Sequence, residues 1–334
     1  MKNIKTKLLT ACLICSAFTV FAVEPEGYYD AALGKSGYVL KTALHKIIKG
    51  HKRYSYSNVW TIYCTTDANA DGTVRDIYTT PGCFNFGPET DGFGRQCGNA
   101  SLEGGDSRAG SSTCGDGGSN PCKYCYSREH SLPKSWGGWA ESDTPYTDVH
   151  HLIPADQYVN GTGHSNHALG KVSSPTYTSK LGYKRGPNTY PGSPSTTCFE
   201  PIDQYKGYFA RMYFYMATRY ENDVANWTQE TPAQAMMNGT STQAFTNWAK
   251  NMLVEWHNNF PVQDWERARN DSVQKVQNNR NPFIDHPELV NKIWGNDNIP
   301  FGEDTPSSGY GIKYILKKDG EVIETKILTI PQNP

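Results

Sequence analysis

Apolar residues recur along the C-terminal half of the chain with the spacing of amphipathic helices. Over residues 209–220, and again over 245–256, they fall at offsets of 3, 4, 7, 8 and 11 from the first, which is the period of one helix face. A similar stripe over residues 38–49 predicts another helix, and further helices are expected over 264–278 and 287–294. The two long stripes are expected to face a core, so the pattern predicts a mainly helical domain.

Near the end of the chain the pattern changes to short runs of β-branched and apolar residues. Residues 312–316 and 322–328 flank an Asp-Gly pair, which is a strong signal for a tight hairpin turn. Residues 306–309 consist of Pro, Ser and Gly and predict a linker. The sequence therefore predicts a linker and a β-hairpin tail over 301–334, added to the main domain.

The first 22 residues have the pattern of a signal peptide. Lys2, Lys5 and Lys7 precede an apolar stretch over residues 8–21, and Val20-Phe21-Ala22 supplies the cleavage pattern that ends in a small residue. The apolar stretch is short and polar residues follow at once, which disfavours a membrane anchor. We therefore predict cleavage after Ala22 and a secreted or periplasmic protein.

Composition and charge exclude several classes of protein. The 334 residues are 37% hydrophobic and 12% aromatic, which allows a sizeable core and argues against disorder. Lys and Arg number 32 against 33 Asp and Glu, and the net charge of −1 becomes −4 once the three lysines of the leader are removed. A strongly basic protein that coats nucleic acid is thereby excluded. Beyond the leader no apolar run is long enough to span a membrane, so we predict one main domain over residues 23–300 and no membrane partner.

Seven cysteines remain beyond the leader, and their positions predict disulfides. Six of them fall within residues 64–125, a stretch rich in Gly and Ser and poor in aliphatic residues. In an oxidising compartment cross-links would stabilise such a segment, which has little core of its own. The alternative is a zinc knot built from Cys114, Cys122 and Cys125, but the usual second close pair is missing. We interpret residues 64–126 as a disulfide-stabilised insertion whose pairing cannot be deduced from spacing.

Two neighbouring segments, residues 126–133 and 147–161, carry the candidate chemistry. The first reads as a strand that ends in a Glu-His pair. In the second, residues 148–153 have the length and β-branched content of a strand, and Pro154 can begin a helix that bears Asn160 about two turns along. Strand, loop, strand and helix in this order would form a compact finger around one site.

The side chains on this finger suit phosphodiester hydrolysis. Glu129 and Asn160 would supply few oxygen ligands, as magnesium prefers when it keeps several waters. A neutral imidazole at His130 could remove a proton from the attacking water. The alternative is a surface carboxylate beside a hydrogen-bonded core histidine, because a Glu-His pair is common by chance. Neither the HExxH motif of zinc proteases nor a phosphate-binding Gly-Lys-Ser/Thr loop occurs in the chain.

In these segments the chain resembles the bacterial endonuclease I family, secreted nucleases of the His-Me finger, or ββα-metal, class. The matching segments follow the family's order along the chain: Leu44–Gly50, Arg128–Pro133, Asp148–Ala155, Val159–Gly161 and Asn279–Glu288. The resemblance implies an α+β fold in which a ββα-metal finger is embedded in a mainly helical single domain. It also implies a non-sequence-specific endonuclease that cleaves DNA, and RNA as well, to products with 5′-phosphate ends.

Carried over residue by residue, the resemblance assigns three roles in the site. His130 matches the family's general base, and Glu129 and Asn160 match its metal ligands. The metal is expected to be Mg²⁺, with Mn²⁺ or Ca²⁺ as alternatives. We expect a monomer whose partners are its DNA and RNA substrates.

The chain departs from the family where a phosphate-binding arginine is expected. Residues 133–148 contain no Arg, and Lys134 is their only basic residue. A lysine supplies a point charge without the bidentate fork of a guanidinium. Lys134 and Arg128 are therefore the candidate substrate-binding residues.

Two adjacent histidines follow in the second segment. Alternation along a strand would send His150 and His151 to opposite faces, so they are not expected to bind one ion together. We expect His151 to be packed and hydrogen-bonded, and His150 to support the site.

A rival hypothesis is a catalytically silent extracellular protein that uses the same fold to bind nucleic acid or a surface partner. The near-neutral charge disfavours tight electrostatic binding of nucleic acid. The presence of Glu129, His130 and Asn160 together favours the enzyme.

Overall fold

The computed structural model describes residues 24–68, 74–78, 126–156, 158–303, 311–318 and 321–329. The α-helices in these residues are α1 (Gly37–Ile48), α2 (Val59–Thr66), α3 (Lys134–Gly137), α4 (Asp203–Arg219), α5 (Thr231–Met236), α6 (Asn247–Asn259), α7 (Asp264–Gln277), α8 (Pro282–Asp285) and α9 (Glu288–Trp294). The five helices expected from the sequence are present as α1, α4, α6, α7 and α9. The predicted leader and the linker at 306–309 lie outside the described residues.

Helix α4 forms the centre of the core. Every side chain from Tyr208 to Arg219 on it is buried, so this helix is enclosed on all sides. It packs against α1, α6 and α8, and the stripes predicted on α4 and α6 belong to one hydrophobic cluster. The buried guanidinium of Arg211 is paired with Glu266 of α7 through two bonds of 2.8 Å, which compensates a charge removed from water. No helix among the described residues is long and apolar enough to cross a membrane.

The strands form small sheets beside this helical core. They are β1 (Tyr126–His130), β2 (Leu152–Asp156), β3 (Ala168–Leu169), β4 (Tyr177–Thr178), β5 (Lys184–Pro187), β6 (Thr197–Glu200), β7 (Gly311–Lys318) and β8 (Glu321–Thr329). β1 and β2 make a two-stranded antiparallel ribbon, and four strands make a second sheet in the order β3-β6-β5-β4. β7 and β8 pair antiparallel, as predicted for the tail. The described chain is thus a mixed helix and sheet structure, consistent with an α+β fold.

The second strand of the ribbon lies later in the chain than predicted. We expected a strand over residues 148–153, but residues 148–151 form a turn in which the Asp148 carbonyl accepts the N–H groups of His151 and Leu152 at 3.2 and 3.0 Å. Pro154, predicted to begin a helix, lies in β2 opposite Arg128. A proline fits there because the described ribbon has two strands, so one edge of β2 needs no N–H donor.

The segment after β2 forms a π-helix over Val159–His164. Its start is fixed by Asp156, whose Oδ1 accepts two backbone N–H groups of the first turn at 2.9 Å. Asn160 therefore lies near the beginning of this π-helix and not two turns into a helix that starts at Pro154. π-Helical turns are rare and occur frequently at functional sites.

Asp148 ties the ribbon to the helical core. It is fully buried, and its Oδ2 accepts the hydroxyls of Tyr215 and Tyr220 at 2.8 Å while its Oδ1 accepts the Gln277 amide at 2.9 Å. Burial raises the pKa of Asp148, but the nearby histidines, His51 first, and the Gln277 donor outweigh burial and lower the pKa from its usual 3.8. The charged form of this carboxylate is therefore stabilised by the fold.

We expect Asp148→Ala to lower the free energy of unfolding by about 3–5 kcal/mol at pH 7, because Tyr215, Tyr220 and Gln277 lose a buried acceptor. The pKa of Asp148 is lower in the folded than in the unfolded chain. The stabilisation is therefore complete above the unfolded pKa and is lost as the pH falls through the folded pKa. Urea unfolding of both proteins from pH 7 downwards should show the difference shrinking in acid. The exposed Asp223→Ala is the control, with a change under about 0.5 kcal/mol; equal effects of the two substitutions would contradict the prediction.

Two cysteines lie in the described part of the chain, Cys64 and Cys198, and the buried thiol of Cys198 is free. The other five cysteines beyond the leader lie outside the described residues, so the disulfides expected among them stay a prediction. Cys64 belongs to α2, which continues to Thr66. The helical core thus extends into the start of the segment interpreted as an insertion at 64–126.

Candidate active site

A cleft of about 390 Å³ opens beside the ribbon, between strand β1, the start of α3 and the π-helix. The structure brings five of the six predicted site residues to this cleft, which is lined by Tyr56, Ser127, Arg128, Glu129, His130, Pro133, Lys134, Asn160, Gly161, Ser165 and Asn166. His150 is the predicted residue that does not reach it.

Strand alternation on β1 divides the site into two sides. Ser127 and Glu129 are two residues apart and so lie on the same face of β1. Ser127 contacts Asn160 of the π-helix, and Glu129 contacts His164 of the π-helix. His130 ends the strand on the other face, where it stacks on Tyr56. The pairing of β1 with β2 is regular up to this residue. The adjacent Glu and His therefore reach one cleft from opposite faces of the strand, without a bulge.

Glu129 is buried against a histidine that the sequence reasoning missed. Its Oε1 lies 2.5 Å from Nδ1 of His164, and the same nitrogen is 3.2 Å from the hydroxyl of Tyr78. Burial raises the pKa of Glu129, and the charge and hydrogen bond of His164, followed by bonds from Tyr78 and Asn160, partly offset this. A sequence signal for His164 does exist, because it follows Asn160 by four residues. Had the helix been predicted to begin near residue 159, this spacing would have placed both side chains on the same helix face.

Asn160 is fixed by a hydroxyl of the neighbouring strand. Its Nδ2 donates to Oγ of Ser127 at 2.7 Å. The Asn160 side chain is also among the groups that lower the pKa of the Glu129 carboxyl, which places the two side chains close together. The carboxylate and the amide are therefore held next to each other at the cleft.

The geometry around His130 fixes its tautomer. The side chain is 6% exposed, and Nε2 lies 2.7 Å from the carbonyl oxygen of Tyr146. A carbonyl only accepts, so Nε2 carries the proton and Nδ1 keeps its lone pair. Tyr56 and Tyr146 enclose the ring at centroid distances of 6.0 and 4.8 Å. Burial first, and then the neighbouring His151, lower the pKa of His130 well below 6.5, so the ring is neutral at pH 7.

The two candidate phosphate-binding residues, Arg128 and Lys134, differ in how enclosed they are by contacts within the protein. The guanidinium of Arg128 lies 3.3 Å from the ring centroid of Tyr56 and 4.4 Å from that of Trp60, and it donates to the Tyr56 carbonyl. Lys134 is exposed, and its ammonium donates to the Tyr146 hydroxyl at 2.8 Å. The lysine is thus the more accessible cation at the cleft.

His150 and His151 occupy different places from those expected of a strand. Both are buried in the turn before β2. His150 packs on the ring of Tyr215 at 4.4 Å and lies 3.3 Å from the carbonyl of Asn279, away from the cleft, so a supporting role for His150 stays a prediction. His151 is packed and lies 2.7 Å from the Pro145 carbonyl, as expected. The two histidines lie in a turn, which does not alternate side chains between two faces as the expected strand would.

The donor set of the cleft fits a hard cation that keeps several waters. Within the described part of the chain, no group of three or more His, Cys, Asp or Glu side chains is arranged to hold a metal ion. Glu129 and Asn160 offer a carboxylate and an amide oxygen at an open cleft. Mg²⁺ is bound in this way, through one or two protein oxygens and water, whereas zinc is held by three or four nitrogen and sulfur ligands.

Proteins that are similar in sequence to this chain are named as nucleases. The family model described as Endonuclease I matches residues 36–288. A protein named extracellular ribonuclease from Bacillus subtilis (strain 168) is 35% identical over 275 residues, which cover 81% of this chain and 79% of the relative. Another extracellular ribonuclease, from Bacillus amyloliquefaciens, is 34% identical over 284 residues, or 84% of this chain and 82% of the relative. A protein named Endonuclease-1 from Buchnera aphidicola subsp. Baizongia pistaciae (strain Bp) is 24% identical over 138 residues, 41% of this chain and 46% of the relative.

Proposed function

Because the chain belongs to the endonuclease I family, we propose that it is a secreted, magnesium-dependent endonuclease that cleaves DNA and RNA without sequence specificity. The observation that carries the proposal is the meeting of Glu129, His130 and Asn160 at one cleft. The names of the Bacillus relatives, extracellular ribonucleases, support secretion and activity on RNA. In this proposal the ribbon and the π-helix together are the ββα-metal finger, and the products carry 5′-phosphates.

His130 acts as the general base in the proposed reaction. Its Nε2–H is held by the Tyr146 carbonyl, so Nδ1 is the nitrogen that accepts the proton of the attacking water. The lowered pKa keeps the ring unprotonated at neutral pH. The enclosing rings of Tyr56 and Tyr146 hold the imidazole in place, so the base is preorganised before substrate binds.

Glu129 and Asn160 would hold the Mg²⁺ ion. His164 binds one carboxylate oxygen of Glu129 and fixes the orientation of the other, as supporting residues commonly do around metal ligands. A magnesium ion bound there would supply positive charge to stabilise the developing charge on the phosphate and on the leaving 3′ oxygen.

Lys134 is the residue proposed to contact the substrate phosphate. It is exposed at the cleft and supplies a single positive charge without fixed geometry. Contact with the backbone phosphate and not with base edges gives no sequence information. This arrangement supports cleavage at many sequences.

The proposal predicts that EDTA abolishes cleavage by the chain from residue 23 onwards, and that excess Mg²⁺ restores it. Supercoiled plasmid and a structured RNA should both be cut, and the products should accept label at the 5′ end only after phosphatase treatment. The matched control is the same protein with EDTA already saturated with Mg²⁺. Binding of plasmid without any cleavage would support the catalytically silent alternative, and EDTA-resistant cleavage would contradict magnesium dependence.

A further inference from the structure

Ser127 lies beside the metal ligands without being one of the groups that the proposed reaction uses. It occupies the same face of β1 as Glu129, two residues earlier, and is 8% exposed. Its Oγ lies 2.7 Å from Nδ2 of Asn160 and 3.4 Å from the carbonyl oxygen of Ala155, its pairing partner on β2. The hydroxyl therefore bridges the ribbon and the first turn of the π-helix.

The chemistry of these contacts fixes which end of the Asn160 amide faces which neighbour. The Ala155 carbonyl only accepts, so the single proton of the Ser127 hydroxyl is directed to it. The hydroxyl then has only a lone pair to offer Asn160, and the amide must present its NH₂ group. The neighbouring Glu129 carboxylate, whose pKa the Asn160 side chain lowers, is an acceptor as well. Two acceptors thus face Nδ2 of Asn160, and Oδ1 of Asn160 is left to face the cleft.

We propose that Ser127 is a positioning residue that holds the Asn160 side chain with Oδ1 toward the divalent cation. This inference rests on the proposed function, since it assumes that the cleft binds a metal. Without the hydroxyl the amide loses one of the two contacts that distinguish its ends, and a flipped amide would present N–H groups to a cation. Residues that orient metal ligands typically change metal affinity by about 10–100-fold when removed.

The test is metal affinity, measured by titration calorimetry with MgCl₂ and MnCl₂ on the chain from residue 23 onwards. Ser127→Ala is expected to bind both ions about 10–100-fold more weakly than the unaltered protein. Ser127→Thr keeps the hydroxyl and should stay within about threefold. Cleavage by Ser127→Ala should approach the normal maximal rate at saturating Mg²⁺ by mass action, because His130 is unchanged.

Ser131→Ala is the matched control. Ser131 is a fully buried serine just after β1, and its Oγ has no hydrogen-bond partner among the described residues. Its removal should leave metal affinity unchanged. Thermal unfolding of each metal-free variant reports whether it folds. If Ser127→Ala does not fold, Ser127→Cys, which nearly preserves volume and offers only a weak acceptor, should show the same loss.

The possible results separate the two proposals. Unaltered protein that binds neither ion contradicts the proposed function and removes this inference with it. Unaltered protein that binds metal, together with a folded Ser127→Ala or Ser127→Cys that binds equally well, overturns only the role of Ser127. Equal weakening by Ser127→Thr would also overturn it, because the hydroxyl would then not be the cause.

Discussion

Replacing His130 by alanine is expected to lower the rate of plasmid cleavage by roughly 10²–10⁴-fold at pH 7, the usual contribution of a general base. The loss should appear in kcat, because Nδ1 of His130 acts on the attacking water and not on binding. Excess Mg²⁺ should not restore the rate. Raising the pH should restore part of it, because hydroxide can replace the missing base.

The His130→Ala variant should keep near-normal affinity for Mg²⁺ in titration calorimetry, since the ring is on the opposite face of β1 from Glu129. Tyr56 loses only a packing contact, and Tyr146 loses a packing contact and the hydrogen bond that its carbonyl accepts from Nε2, neither of which lies at the proposed metal ligands. Near-normal turnover of this variant, or loss of its metal binding, would show that His130 is not the base.

Glu129→Ala is expected to show the opposite pattern to His130→Ala, with weaker Mg²⁺ binding and a loss of rate that excess Mg²⁺ partly restores. Removing the carboxylate should weaken Mg²⁺ binding by at least about 10²-fold, more than the loss of a merely supporting residue. Cleavage at low magnesium should fall accordingly and should recover in part as the Mg²⁺ concentration is raised. Calorimetry and plasmid cleavage over a range of MgCl₂ concentrations measure the two effects on one sample.

Glu129→Gln is the matched variant for this prediction. It keeps the shape and one oxygen ligand but removes the charge, so its affinity for Mg²⁺ should lie between those of the unaltered protein and Glu129→Ala. It also preserves a partner for Nδ1 of His164, which limits any loss of stability. An affinity equal to that of the unaltered protein in both variants would exclude Glu129 as a ligand.

The helices were predictable because their hydrophobic period is long and unbroken. The stripes over 209–220 and 245–256 both pack in the core, as α4 and α6. Strand β2 was misplaced because residues 148–153 look β-branched, while the buried acceptor Asp148 imposes a turn on them. That turn depends on partners in α4 and α7, which no local pattern reveals.

The site residues could be predicted only in those segments whose sequence motifs resemble the family. Glu129, His130 and Asn160 stand in the segments that resemble the family, and the structure brings them to one cleft. The supporting contacts of Ser127 and His164 could not be read from the sequence, because each depends on the register of the ribbon and on the π-helix. A one-residue change in either would point these side chains elsewhere.

The buried carboxylate of Asp148 has a consequence for how the protein is made. Its oxygens accept hydrogen bonds from Tyr215 in α4, from Tyr220 just after α4 and from Gln277, which all leave the ribosome after the whole ribbon. A nascent chain that has been synthesised only as far as the π-helix lacks these donors, so the Asp148 carboxylate cannot yet tie the ribbon to the helical core. The complete set of contacts to this buried carboxylate can therefore form only after synthesis has passed Gln277, at a late stage of translation.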